Sequence, residues 1–422
     1  MKVQLIHPPH PQACEDRLDA PLGLLYIAAA IKRAGHHVIV TDLSSIPREE
    51  WVIEYADLYG ITSYIPTMEL STEIANMCHE KKADAIVVGG GANFTDLYNA
   101  GLDSLLPKEF DSFVIGRGEE AILDLLQDYP KVNRFYERKL SKDLDAYSNP
   151  AYELVDIDSY SRQIGEGRSI SMLTSRGCPF ACNFCTIDSN LCYRSPESVT
   201  SEIKELIEYY GIKSFNFQDD TFLLNKKRTK KMLELFKPLD IQFRCHGRVG
   251  LDQIEDYQAL KEAGCYQICW GIESGSQFML DRMNKRVKVT QNMEVIHWAQ
   301  WAGLLDRVFL VVGFPGETRE TLEETKVFLE AADPSQVFVS SFQPYPGTRV
   351  WREPELFGIK HIHKDFTKYL QVYGDGKLGQ SNIDTEWASR EDMDEMLEEF
   401  RVWLAARPSR GILQNYERRL QK

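Results

Sequence analysis

Three cysteines in one short segment are the residues of this chain whose spacing most directly specifies chemistry. Cys178, Cys182 and Cys185 lie in the sequence Arg-Gly-Cys-Pro-Phe-Ala-Cys-Asn-Phe-Cys, with three residues between the first pair and two between the second. Iron–sulfur clusters are usually held by four cysteine thiolates. A segment that supplies three leaves one iron of a cubane cluster without a protein ligand, so this iron can bind a small molecule.

A zinc site is the alternative interpretation of the same cysteines, because structural zinc takes four cysteine or histidine ligands. Cys192 lies seven residues after the last of them and His246 lies much further on, so a fourth ligand is available. Zinc signatures, however, pair one C-x2-C with a second pair, and here there is a single triplet. The spacing favours the cluster and leaves zinc open.

The cysteine segment closely resembles that of the radical S-adenosylmethionine (SAM) enzymes, including its Arg-Gly-Cys-Pro start and the Phe184 before the last cysteine. In that superfamily the open iron binds SAM, and reductive cleavage gives methionine and a 5′-deoxyadenosyl radical that abstracts hydrogen from a carbon. The resemblance implies a [4Fe–4S] cluster on the three cysteines, SAM, and an external electron donor such as flavodoxin or ferredoxin.

The region around the cysteines alternates short apolar segments with helical patterns, which predicts six strand–helix units. The predicted strands are 171–174, 214–217, 242–245, 267–270, 308–312 and 337–341. Six such units predict a partial (β/α)6 version of the eight-stranded TIM-type barrel, spanning residues 166–345, with its chemistry at the carboxyl ends of the strands. The cysteine segment follows the first of these strands.

Segments after three other strands resemble the SAM-binding segments of the cobalamin-linked radical SAM enzymes. They are Phe217-Gln-Asp-Asp-Thr-Phe222, Gly271-Ile-Glu-Ser-Gly-Ser276 and Gly313-Phe-Pro-Gly-Glu-Thr318. The resemblance implies that SAM is bound by Phe184, Asp219, Asp220, Arg248, Glu273, Ser274, Gly313 and Pro315. Phe184 and the Gly313 loop would border the adenine, the aspartates would lie near the methionine amino group, and Glu273 near the ribose. Arg248 is the candidate partner of the methionine carboxylate, because a guanidinium binds a carboxylate through two hydrogen bonds.

Structural roles remain open for several of these residues. One of Asp219 and Asp220 could cap the following helix, and Glu273 and Arg248 could be purely structural, Glu273 as an ion-pair partner. Three further cysteines lie in or beside apolar strands and are expected to be small buried hydrophobes, namely Cys245, Cys265 and Cys269. The role of Cys192 is left undecided.

Residues 1–125 predict a Rossmann-like parallel sheet with crossover helices, because five short apolar segments alternate with helical patterns. The predicted strands are 3–6, 38–41, 58–61, 85–88 and 112–115. Ligands of such sheets bind beyond the carboxyl ends of the strands. The region resembles the cobalamin-binding domain of many radical SAM enzymes in Pro21-Leu-Gly-Leu-Leu, Val88-Gly-Gly-Gly-Ala-Asn and Gly116-Arg-Gly-Glu-Glu.

This resemblance implies a set of cobalamin contacts in the loops at that edge. They are Gly23, Ser63, Tyr64, Gly89, Gly90, Gly91, Asn93, Gly116, Arg117 and Glu119. The family commonly has Gly-Glu-Gly-Glu where this chain has Gly116-Arg-Gly-Glu119, and the Asp-x-His-x-x-Gly signature is absent. The resemblance therefore implies cobalt without a protein histidine, and a domain that has lost its cofactor is the alternative.

The remaining segments carry weaker patterns. Residues 126–165 are expected to be a linker, and residues 346–422 a small, mainly helical segment that packs on the barrel or closes its opening. A helix is predicted to start at Ser389, with an apolar stripe of Met393, Met396, Leu397, Phe400 and Leu404. Four residues are candidates to line the opening, namely Tyr345, His361, His363 and Tyr369.

The composition excludes several classes of protein. A hydrophobic content of 43% predicts a soluble globular chain, and no apolar run is long enough for a membrane span. The net charge of −14 argues against a nucleic-acid partner. Nine cysteines without an extracellular framework pattern favour a reducing cytoplasm.

The leading hypothesis is a cobalamin-dependent radical SAM enzyme that methylates an unactivated carbon of a natural-product intermediate or a peptide. The first alternative is the same hydrogen abstraction without cobalamin, leading to dehydrogenation, rearrangement, cyclisation or deoxygenation. The second is a non-enzymatic cobalamin or cluster sensor. Methylthiotransferases are disfavoured, because their N-terminal domain carries three further cluster cysteines and this one has only Cys14 and Cys78.

Overall fold

The computed structural model describes residues 1–10, 13, 15–138, 141–372 and 376–407, so Cys14 lies outside the described residues. The chain divides into two compact units, residues 1–162 and 163–422. No helix in the described part of the chain is both long and apolar enough to cross a membrane.

The first unit is a six-stranded parallel sheet with the order β2-β1-β3-β4-β5-β6. Its strands are β1 (Lys2–His7), β2 (His37–Asp42), β3 (Leu58–Thr62), β4 (Ile86–Gly90), β5 (Ser112–Ile115) and β6 (Phe135–Glu137). Its helices are α1 (Leu22–Arg33), α2 (Met68–Lys81), α3 (Ala92–Asn99) and α4 (Gly118–Asp128). The chain reverses its winding direction between β1 and β3, and open parallel sheets bind ligands at such a switch point.

The five predicted strands of this unit are all present, and the Rossmann-like sheet is confirmed. Residues 126–165, expected to be a linker, instead contain the end of α4 and strand β6, which pairs with β5 in parallel. The division into units falls after Arg162. A three-residue edge strand is too short to show a periodic pattern, which is why the sequence did not reveal it.

The second unit is a seven-stranded sheet in which six consecutive parallel strands form the open barrel. The strands of this sheet are β7 (Gln163–Ile164), β8 (Gly167–Met172), β11 (Ser214–Phe217), β12 (Gln242–Gly247), β13 (Cys265–Glu273), β14 (Leu305–Val312) and β15 (Gln336–Ser341). Strands β9 (Ser175–Arg176) and β10 (Cys192–Tyr193) form a separate antiparallel pair. The helices are α5 (Pro196–Tyr210), α6 (Lys226–Phe236), α7 (Ile254–Glu262), α8 (Gln277–Arg282), α9 (Val289–Trp301) and α10 (Arg319–Ala332). The six strand–helix units are confirmed, while β7 only adds a short antiparallel partner to β8.

The two faces of the barrel strands differ in chemistry because side chains alternate along a strand. Phe217 stacks on Phe236 of α6 at a centroid distance of 5.7 Å, and Phe243 meets the same ring edge-to-face at 5.8 Å. On the opposite face, Asn216 donates to Ser171 Oγ at 3.0 Å and accepts from Arg244 Nε at 3.0 Å. The apolar face therefore packs on the helices, and the inner face of the barrel carries hydrogen-bonded polar side chains.

The C-terminal part of the second unit holds helices α11 (Arg349–Arg352) and α12 (Arg390–Ala406) and an antiparallel strand pair, β16 (Ile359–Ile362) with β17 (Ile383–Thr385). Ser389 caps α12 as predicted. The whole predicted apolar stripe of this helix is buried, and Met393 and Leu397 lie against the loop at Gly313. Helix α12 therefore packs on the carboxyl end of the barrel.

Candidate cofactor sites

The cysteine segment is a closed loop at the carboxyl end of β8. Strands β9 and β10 pair antiparallel and join the two ends of residues 177–191. At Gly177 the φ angle is +90°, and a Cβ atom would lie 2.2 Å from the carbonyl oxygen of Asn190, so the first turn requires glycine. Cys192 belongs to β10 and is buried, which gives it a packing role in the closure.

The three cysteines of the loop are half-buried and free of disulfides. Two of the sulfur atoms accept N–H groups: Arg248 Nη1 lies 3.5 Å from Cys182 Sγ, and the Ile187 amide lies 3.4 Å from Cys185 Sγ. Burial raises the pKa of the Cys185 thiol to about 11, and a coordinating metal deprotonates such a thiol. Three thiols on one loop, with N–H donors beside them, fit a cluster that takes three protein ligands.

The two aspartates after β11 anchor the start of this loop. Asp219 is buried and its carboxylate accepts from the Thr174 amide at 2.7 Å and from the hydroxyls of Thr174 and Ser175. Asp220 Oδ2 accepts from the Gly177 amide at 2.9 Å. Neither aspartate caps the following helix, because the cap of α6 is Asn225, which accepts from the Arg228 amide at 3.1 Å.

Glu273 lies at the end of β13 in an unusual backbone conformation. Its φ angle is +66°, a strained value for a residue with a side chain. Its carboxylate pairs with Lys285 Nζ at 2.6 Å, and both side chains are buried. A Cβ atom at Gly271 would lie 2.1 Å from Glu273 Oε1, so the glycine makes room for this pair. The ion-pair role that the sequence left open for Glu273 is therefore observed.

The remaining predicted SAM residues lie on three loops at the carboxyl end of the barrel, after β8, β13 and β14. Phe184 is half-buried and meets Phe314 edge-to-face at 6.3 Å. Pro315 O accepts from Arg282 Nε at 2.8 Å, and the hydroxyl of Ser274 pairs with that of Thr325 at 3.1 Å. Phe184 thus provides an apolar ring beside the cysteines that packs on the fully buried Phe314, and Ser274 is buried in contact with α10.

Glu317, in the loop that follows β14, is a buried acid that the sequence did not single out. Its Oε2 accepts from the Gly313 amide at 3.3 Å, and its other oxygen accepts from the Thr321 hydroxyl. Burial raises its pKa to about 7. The carboxyl group joins the Gly313 turn to the first turn of α10.

The predicted cobalamin loops meet at the carboxyl edge of the first sheet. Gly91 has a φ angle of +98°, and a Cβ atom there would lie 2.8 Å from Ser63 O. The Asn93 amide donates to Ser63 O at 3.2 Å, and Asn93 Nδ2 donates to Ser63 Oγ at 3.1 Å. The loops after β3 and β4 are therefore joined by direct hydrogen bonds beside the switch point, where a ligand of this sheet binds.

The other predicted cobalamin residues lie in the same group of loops. Gly89 and Gly90 end β4, and Gly116, Arg117 and Glu119 lead from β5 into the first turn of α4. Gly23 is exposed in the first turn of α1. Tyr64 follows Ser63 and is 48% exposed, which leaves its ring available to a ligand.

His7 also lies at this edge, directly after the predicted strand 3–6, although it was not among the predicted cobalamin contacts. It ends β1, and its ring is 6.3 Å from that of Tyr64. Burial lowers the pKa of its imidazole. His37 begins β2 and so lies at the opposite edge of the sheet.

The inner face of the barrel adds residues that sequence reasoning missed. Gln336 Oε1 accepts from both Gln267 Nε2 and Arg307 Nε at 2.8 Å. One layer nearer the carboxyl ends, Phe309 contacts both His246 and Phe338, at centroid distances of 6.0 and 5.7 Å. Alternation of polar and apolar residues along the strands was the available signal.

The comparisons with known proteins agree with this geometry. The model of the radical SAM superfamily matches residues 172–329, and that of the B12 binding domain matches residues 20–126. The uncharacterized methyltransferase PH0819 of Pyrococcus horikoshii is 31% identical over 382 residues, which cover 83% of this chain and 82% of that protein. The chain therefore belongs to the radical SAM enzymes that carry a B12-binding domain, and its cofactors are a [4Fe–4S] cluster, SAM and cobalamin.

Two further relatives show the range of this similarity. The anaerobic magnesium-protoporphyrin IX monomethyl ester cyclase of Cereibacter sphaeroides is 26% identical, covering 84% of this chain and 63% of that enzyme. The structure of the radical SAM methyltransferase TsrM from Kitasatospora setae, with cobalamin and a [4Fe–4S] cluster bound, superimposes with a TM-score of 0.67. Its sequence identity is 20%, and the match covers 85% of this chain and 75% of that one. The predicted family, fold class and cofactors are confirmed.

Replacing Cys178, Cys182 and Cys185 together by alanine should remove iron and sulfide without unfolding the barrel, because the loop is also held by Asp219 and Asp220. Metal analysis and circular dichroism of the anaerobically purified protein measure both properties. The matched control Cys192→Ala should keep its iron. Iron retained by the triple variant, or stoichiometric zinc in the wild type, would contradict this assignment.

Gly91→Ala should weaken cobalamin binding at least tenfold, because the added Cβ displaces the Ser63 loop. Gly101→Ala is the matched control: its φ angle is +68° and no heavy atom lies within 4 Å of the added Cβ. Both variants place an alanine at a positive φ angle, and only Gly91→Ala adds the clash with Ser63, so its melting temperature should fall below that of Gly101→Ala. Equal affinities for hydroxocobalamin, measured by equilibrium dialysis, would place the cofactor away from this loop.

Glu317→Gln should change the pH dependence of stability. Because the pKa of Glu317 is raised in the folded state, its contribution is fully present below the unfolded pKa near 4.5 and is lost as the pH rises through about 7. Denaturant titrations at pH 5 to 8 should therefore show a decline for the wild type that is smaller in the variant. The control is Glu330→Gln, an exposed position on α10. Parallel curves for the wild type and Glu317→Gln would rule out a buried, protonated Glu317.

Proposed function

We propose that this enzyme transfers a methyl group to an unactivated carbon of a small molecule or a peptide. The observation that carries the proposal is that one chain bears the thiols for an open cluster at one sheet edge and a B12-binding loop set at another. The names of PH0819 and TsrM as methyltransferases support methyl transfer as the outcome. When bound, the cluster and SAM supply the hydrogen-abstracting radical, and cobalamin carries the methyl group.

The residues of the barrel would then hold SAM by complementary contacts. Phe184, backed by the buried Phe314, offers an apolar ring for the adenine. The Glu273–Lys285 pair places a carboxylate oxygen at the end of β13 for the ribose. Asp220, which is exposed beside the cysteine loop, is the better of the two aspartates for the methionine amino group, because Asp219 already accepts three hydrogen bonds.

The inner face of the barrel suits a substrate with polar groups. Asn216, Arg244, Gln267 and Arg307 line it as a hydrogen-bonded layer, and Phe309 forms part of an aromatic layer above them. A substrate that enters from the carboxyl end would meet the aromatic layer first and the polar layer below it.

The partners follow from the chemistry of the cofactors. Cleavage of SAM consumes one electron per turnover, so we propose an external donor of the flavodoxin or ferredoxin type and a reducing cytoplasm as the compartment. The net charge of −14 supports the absence of a nucleic-acid partner.

The reconstituted enzyme, given SAM and a chemical reductant under anaerobic conditions, should form both 5′-deoxyadenosine and S-adenosylhomocysteine. The first product reports hydrogen-abstracting chemistry, and the second reports transfer of the methyl group from SAM to the cofactor. Chromatography with mass detection quantifies both, and Cys182→Ala should abolish 5′-deoxyadenosine. Formation of 5′-deoxyadenosine alone would favour the cobalamin-independent alternative, and absence of both products from fully loaded protein would favour a sensor.

A further inference from the structure

Arg248 is held against the cysteine loop on three sides. Its Nη1 donates to Cys182 Sγ at 3.5 Å, and its Nη2 donates to the carbonyl oxygen of Lys285 at 2.5 Å. Its guanidinium carbon lies 3.7 Å from the centroid of the Phe180 ring, a cation–π contact. The side chain is 8% exposed. These contacts fix a buried positive charge beside one sulfur of the loop.

The charge of Arg248 is not balanced by a carboxylate of the described residues. Within the part of the chain that the structure describes, Arg248 forms no ion pair, whereas the nearby Lys285 is paired with Glu273. Burying a cation without a partner is costly unless a negative group arrives to compensate it. A cluster held by thiolates carries negative charge, so the position of Arg248 fits a cluster on Cys182.

We infer that Arg248 acts through Cys182 to raise the reduction potential of the cluster. The potential of an iron–sulfur cluster depends on the charge around it and on hydrogen bonds to its sulfurs. Reduction adds one electron, so an N–H donor and a positive charge at the sulfur stabilise the reduced form more than the oxidised form. Arg248 would therefore make it easier for an external donor to deliver the electron that cleavage of SAM requires. The inference rests on the proposed binding of the cluster by Cys182.

This role differs from the one that sequence resemblance suggested for Arg248. A two-bond clamp on the methionine carboxylate needs two N–H groups that point in one direction. Here Nη1 is directed to a sulfur and Nη2 to a backbone carbonyl. The two roles are separable by experiment, because the effect on the potential exists without SAM and a carboxylate clamp acts only with it.

The test is a redox titration of the reconstituted protein without SAM, followed by electron paramagnetic resonance of the reduced cluster. Arg248→Met, which removes both the charge and the N–H donors, should shift the midpoint potential to a more negative value while the iron content stays at the wild-type level. Arg248→Lys, which keeps the charge, should recover part of the shift. Arg282→Met removes a guanidinium that donates to the carbonyls of Pro315 and Phe357, and it should leave the potential unchanged.

An unchanged potential in Arg248→Met overturns the inference. If SAM affinity falls at the same time, Arg248 is the carboxylate clamp; if only the melting temperature falls, its role is structural. Should Arg248→Met lose its iron, Arg248→Gln, which keeps an N–H donor and removes the charge, provides the same comparison. Wild-type protein that binds no iron would refute the proposed function and this inference with it. If the Arg248 variants show the expected shifts in midpoint potential but the wild type transfers no methyl group, only the proposed function is refuted.

Discussion

The attachment of the cysteine loop to the barrel by two carboxylates is the constraint on which the second unit depends. Asp219 and Asp220 follow β11, and their oxygens accept hydrogen bonds from Thr174, Ser175 and Gly177, in the segment that leads into the cysteines. Leaving a buried donor unsatisfied costs about 1–3 kcal/mol, so these bonds strongly restrict where the loop can begin. The positions of the three thiols follow from that fixed start and from the closure of β9 on β10.

In the first unit, too, hydrogen bonds fix the loops at the carboxyl ends of the strands, but through different residues. There the carboxyl edge of a parallel sheet is tied together by Ser63 and Asn93, and a glycine in the left-handed region lets the loops after β3 and β4 come into contact. In both units the loops at the carboxyl ends of the strands bring backbone N–H and C=O groups close to small polar side chains. A parallel sheet supplies such an edge without any special residue, and the loops decide which cofactor it binds.

The sequence was sufficient to predict the features that depend on local pattern. Strand positions followed from short apolar segments, and helix α12 from its capping residue and apolar stripe. The cluster site followed from the spacing of the cysteines together with the resemblance of their segment to the radical SAM enzymes. The features that it did not predict depend on contacts between distant residues. Arg248 meets Cys182 across 66 positions in the chain, and Glu273 meets Lys285 because Asn284 and Arg286 turn the chain through positive φ angles. The periodicity of apolar residues in a sequence does not predict such contacts.

The buried pair of Glu273 and Lys285 shows why site and stability are coupled in this barrel. Removing one partner of a buried ion pair leaves an uncompensated charge and typically costs about 3–5 kcal/mol of folding stability. The positive φ angle of Glu273 is a strained conformation that the contacts around it must also hold in place. Lys285 also offers its carbonyl oxygen to Arg248. The cation beside the cysteine sulfur and the carboxylate at the end of β13 are therefore positioned by one shared residue, so a disturbance at either one reaches the other through Lys285.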